Sequence, residues 1–215
     1  MPLPRRLLFA AIAFAVLAFI VTVGARRPIE PTSGAFAPAV RAFVALAAFG
    51  MAVAWPLWRI AMPPVGWTPA RAALDLVTLI VAFQAAYWPL HLVSGWTLGA
   101  AGAIDAVACG WAAAGGAVAA LAARGRIGPA VAGLAVVGVS GAGVALDALD
   151  APRPWGALAG PFVALLEASS LAGTRDGLPV ALAAWPWALA FAAWAAAAAP
   201  PHGGRRTVAG PDRIR

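Results

Sequence analysis

Lysine is absent from this chain: all fifteen basic residues are arginine. Chemistry that runs through a lysine amine, a retinal Schiff base included, is therefore excluded. The one cysteine, Cys109, lies inside an apolar run, so neither an intrachain disulfide nor a cysteine-based metal site is available. Of two histidines only His91 falls in an apolar run, while His202 sits near the C-terminus. A haem held between helices by two axial histidines is not expected from one such chain. Neither HExxH nor a GK[ST] phosphate loop occurs, so metal-assisted hydrolysis and ATP hydrolysis are not expected, and no cofactor is expected. Charge is scarce as well: 11% of residues are charged, against about 25% in a soluble domain.

What the chain has instead is long apolar stretches separated by arginine. Residues 7–24, 39–58, 72–95, 98–123, 127–149 and 178–199 carry few or no charges. A helix rising about 1.5 Å per residue needs about 20 residues to cross roughly 30 Å of hydrocarbon, and each stretch meets that length. The expectation is an all-α polytopic helical bundle embedded in a lipid bilayer, one domain over 1–199, followed by a basic tail at 200–215. The net charge of +7 is spread over the ends of the apolar runs, where arginine acts as a topology signal. A nucleic-acid partner is not expected from that distribution. The start of the chain, with Arg5 and Arg6 before an apolar run, reads as a retained helix. Its 17 apolar residues exceed the usual 7–15 of a signal-peptide core.

Arginine counting sets the number of crossings. Six crossings place ten arginines on the N-terminal side and five on the other, whereas a seventh at 156–172 gives seven against eight. Only six satisfy the positive-inside rule, with both termini cytoplasmic in a bacterial inner membrane. The segment 156–172, short and carrying Pro161 and Glu167, is then expected to lie on or dip into the outer surface, a seventh crossing being the alternative.

Two patterns stand out within the runs. Gly95, Gly99, Gly102, Ala106, Gly110 and Ala114 place a small residue at nearly every fourth position, as close helix packing requires. That stripe is read either as a subunit interface or as packing between the fourth and fifth runs of one chain. The second pattern is polar. Gln84, Tyr87, His91 and Ser94 share one helical face, and Ser140, Gly143, Asp147 and Asp150 share another. Asp105 joins them from the fourth run, and helical rise puts it level with Tyr87. Ionisable groups within a bilayer are costly and mark sites. Gln84, Tyr87, His91, Asp105, Ser140 and Asp147 are thus the candidate ligand or proton site; an interhelical clasp is the plainer reading. Ser140 has no later histidine within a run to serve as its base, so no catalytic residue is assigned. Asp75 is expected to pair with Arg71 one turn away. Arg41 is expected to reach outward to the surface.

Three functions follow from these features. The first is a non-catalytic membrane subunit (accessory, scaffold or permease-type) with other membrane proteins as partners. The second is an autonomous small-solute or proton-coupled transporter, which the lack of an internal repeat weakens. The third is a quinone- or lipid-binding protein or an intramembrane enzyme.

Overall fold

The computed structural model describes residues 4–24, 35–149, 160–171 and 180–200. Arg26, Arg27, Asp150, Arg153, Trp155, Arg175, His202 and the 201–215 tail lie outside them, as does the side chain of Asp147. Among the described residues there are seven helices and no strand: α1 (Arg5–Gly24), α2 (Ala37–Ala61), α3 (Pro69–Ser94), α4 (Leu98–Ala123), α5 (Pro129–Ala148), α6 (Pro161–Leu171) and α7 (Val180–Ala198). Five of them, α1 to α5, are long and apolar enough to cross a membrane. The 19 residues of α7 reach about 28 Å, close to the same span. All six expected runs are present, with ends shifted by no more than three residues.

The helix ends follow from local chemistry. Pro69, Pro129 and Pro161 each open a helix, where the missing N–H costs nothing and the ring presets φ. Thr68 and Thr97 cap α3 and α4 by accepting hydrogen bonds from the N–H groups of Arg71 and Ala100. Gly95, with φ of 72°, ends α3 in the left-handed conformation that makes the tight turn into α4. At the centre of α2, Gly50–Ala54 widens into a π-type turn. A Cβ on Gly50 would lie 2.7 Å from the Phe14 ring, so the glycine admits α1 against this turn.

The bundle is built around α4, two thirds of whose apolar window is buried. Its most extensive contact is with α7, a neighbour that neither reading of its small-residue stripe, α5 or a separate subunit, had offered. The two run parallel: Trp187 donates to the carbonyl of Ala106 and Trp194 to that of Ala113, at 2.9 and 3.0 Å. Gly110 is what lets them approach, since a Cβ there would stand 2.8 Å from Pro186. Span α5 turns only part of its surface to the bundle, and the close approaches of α4 are made to α2 and α7.

Parallel α4 and α7 fix the path between them. Because α5 runs back along α4, its end at Leu149 and the start of α7 lie at the same end of the bundle. At the opposite end, Arg126 and Arg124 donate to the carbonyl of Ala199 after α7. Helix α6 occupies the intervening space as a half-length rod of 11 residues packed on α2, α4 and α5. Phe162 stacks near Phe49 with centroids 6.1 Å apart, and Gly160 lies against Val139 and Ser140. These neighbours are at the midpoints of α2 and α5, so α6 starts midway along the bundle and runs to the end that holds Arg41. Of the two expectations for this segment, dipping is the one its buried Pro161, Ala164, Leu165 and Ala168 fit.

Arg41 departs from expectation. It is half-buried and donates through Nη2 to the carbonyl of Ser169 at 2.9 Å instead of reaching out to the surface. The last carbonyls of α6 carry a partial negative charge, which holds the guanidinium inward. Asp75 also pairs differently: its carboxylate meets Arg59 at 2.6 Å, while Arg71 turns to the carbonyl of Val65. Both partners of the ion pair are nearly buried, and the guanidinium packs over Trp58 and Trp67 at 4.5 and 5.2 Å. An aromatic seat of this kind favours Arg59 over an exposed neighbour.

Candidate functional site

The polar residues of α3 and α4 meet in antiparallel register, and the amide finds the carboxylate. Gln84 Nε2 donates to both oxygens of Asp105 at 2.8 Å. The Cys109 thiol, one turn further along α4, donates to Asp105 Oδ1 at 3.4 Å. Gln84 completes its own set by accepting from the indole N–H of Trp88. Both Gln84 and Asp105 are half-buried, and among the described residues no basic side chain pairs with this carboxylate. The group is therefore a carboxylate held by an amide and a thiol, with an indole on the amide's own oxygen, at the seam of two helices.

Tyr87 does not join it. Fully buried between Phe83 and Trp88, it donates to the carbonyl of Ala101 at 2.8 Å, one turn away from Asp105. Gln84, not Tyr87, is level with Asp105, so the two helices are offset by almost one turn from the simple count. The His91 ring turns to the carbonyl of Trp88 within its own helix, and Ser94 donates to the carbonyl of His91. Ser140 donates to Val136 on α5, 2.7 Å away, and lines a separate cavity. The structure brings together Gln84 and Asp105 of the six candidates and adds Cys109 and Trp88; Tyr87 and His91 touch the group only through Trp88, and Ser140 lies apart. Trp88 stands one turn after Gln84 in the sequence, but tryptophan near the end of a membrane helix ordinarily serves as an interfacial anchor and gives no sign of this role.

The small-residue stripe on α4 divides into two parts. Gly110 packs on Pro186 and Trp187, and Ala114 lines the cavity beside Ser140. Gly99 and Gly102 have nothing within 4 Å of where a Cβ would be. Among the described residues no three His, Cys, Asp or Glu side chains come together as a metal-holding group. Comparison with protein-family models, with curated proteins and with solved structures finds no match.

Proposed function

We propose that this chain is a non-catalytic integral subunit of a larger complex in a bacterial inner membrane, crossing six times with both termini cytoplasmic. One observation carries the reading: a stripe on α5, mostly of small residues, that no other described residue covers. Leu134, Gly138, Gly141, Ala145 and Ala148 follow one another at steps of four and three residues, and all are exposed. A Cβ on Gly138 or Gly141 would meet nothing within 4 Å. Glycine on a lipid-facing surface forfeits side-chain contact with the acyl chains, whereas against another helix it permits close backbone approach. The stripe suits a helix of a partner protein.

The test is purification in mild detergent followed by mass spectrometry of co-eluting proteins. A stoichiometric partner that survives high salt is the expected result. Gly141→Leu has room within this chain, so the fold should persist while partner recovery falls about ten-fold. A wild-type chain that elutes as a clean monomer or homo-oligomer overturns the reading.

A second reading, a proton-coupled or small-solute transporter, draws on Asp105, a carboxylate within the helical bundle with neutral donors only. Asp105→Asn separates the two. As a clasp, the pair contributes about 0.6 kcal/mol, with a ceiling near 1.7, and its loss lowers thermal stability modestly. As a transport site, its loss abolishes flux in proteoliposomes at unchanged protein abundance.

A further inference from the structure

Between α1, α2 and α3 lies a partly open cavity of about 310 Å³ with an apolar lining. Leu7 and Trp58 line it toward the end of the bundle that holds Arg5 and Arg59, and Phe43 and Phe83 line it toward the other. Its walls are made of small residues: Ala10, Ala11, Ala47, Gly50, Ala54 and Ala82 stand where bulkier side chains would close the gap. The opening lies between α1 and α2, where the lining residues Ala10, Phe14, Ala54 and Trp58 are exposed. A ligand in the bilayer can therefore enter sideways.

Size and shape select the occupant. A single turn of helix, about 10 Å across and 5.4 Å tall, fills roughly 400 Å³, so no helix of a partner fits. A cavity of about 150 Å³ accommodates benzene, so this one accommodates about a dozen hydrocarbon carbons. On α2 the lining runs from Phe43 to Trp58, about 22 Å of helical rise, so the space is long and narrow. Those are the proportions of one acyl chain, and the lateral opening lets a second chain of the same lipid stay in the bilayer.

Charge selects the headgroup. Arg5 and Arg6 open α1 and are both exposed. Leu7 follows them directly in the lining, and Ala10 stands one turn after Arg6 on the same face. Neither arginine meets an acidic side chain among the described residues, since Asp75, the one described at this end, is taken by Arg59. Arg71, Arg124 and Arg126 add positive charge at the same end of the bundle. Clustered arginine at the hydrocarbon edge attracts anionic lipid. We infer that the cavity holds one acyl chain of an anionic phospholipid whose phosphate sits at Arg5 and Arg6. The site is built by α1, α2 and α3 and stands independently of any partner on α5.

The experiment is native mass spectrometry of the full-length detergent-purified protein, delipidated and then offered equal amounts of dioleoyl phosphatidylglycerol and dioleoyl phosphatidylcholine. One retained phosphatidylglycerol per chain is expected, preferred by about five-fold for each of the two arginines. Arg5→Gln combined with Arg6→Gln should remove most of that preference while a lipid is still retained. Ala54→Phe fills the cavity from its open side and should abolish retention. Ala10→Leu narrows the same opening from α1 and carries the test if Ala54→Phe fails to fold. No retained lipid, equal retention of the two lipids by the wild type, a preference unchanged in the arginine variant, or retention undiminished by a filled cavity overturns the assignment.

Discussion

Asp75→Asn lowers the unfolding free energy by about 3 kcal/mol, the low end of what breaking a buried ion pair costs. Asparagine keeps the shape but not the charge, and Arg59 is left 11% exposed with no counter-ion. The guanidinium has little freedom to escape, because Trp58 and Trp67 flank it at 4.5 and 5.2 Å. Arg59→Leu strands the carboxylate instead and carries a similar cost. The pair Arg59→Leu with Asp75→Leu should recover most of the loss, since replacing a buried ion pair by apolar groups is often neutral. A double-mutant cycle built on detergent-solubilised unfolding reads the coupling directly. A single-variant loss below about 1 kcal/mol would mean that water reaches the pair and screens it, as at an exposed surface.

Gly115→Ala and Gly102→Ala make the same chemical change one helix face apart and are expected to move stability in opposite directions. At Gly115 the new methyl would stand 2.6 Å from the carbonyl oxygen of Ala52 and 3.0 Å from the Pro56 ring. Neither neighbour is the free end of a flexible side chain, so α2 must shift away from α4. Overpacking of this kind costs about 1–3 kcal/mol, and contact with backbone belongs at the upper end. At Gly102 nothing lies within 4 Å, and only helix propensity changes, in favour of alanine by up to about 1 kcal/mol. Thermal unfolding of the two variants beside the wild type checks both signs. Equal shifts would mean that the α2–α4 contact is not close.

The sequence reading located helices well and neighbours poorly, for a physical reason. Run length and hydropathy depend on one segment at a time, and they placed all six long helices. Pairing depends on which faces meet, and an Ala/Gly-rich helix such as α4 is apolar all the way round. Its sequence does not say that Gly110 faces α7 or that Gly115 faces α2. The same limit explains Asp75, for which Arg71 is near in sequence while Arg59 is near in space. Within the site, Gln84 and Asp105 were legible as candidates because both polar groups break apolar runs, but their pairing was not, since helical rise set Tyr87 level with Asp105. The carbonyl acceptor chosen by Tyr87 was not legible either, because backbone acceptors are present at every residue and leave no mark in the sequence.

The parallel pairing of α4 with α7 also bears on how the chain is made. The most enclosed helix of the bundle takes its principal neighbour from a helix synthesised well after it. At about 5–20 residues per second, the stretch from Ala123 to Val180 takes roughly 3–11 s to emerge. For that interval the α7 face of α4, with Gly110 and the carbonyls of Ala106 and Ala113, meets lipid or the insertion machinery. Completion of the bundle therefore waits on α7, whose two tryptophans arrive at carbonyls exposed since α4 emerged.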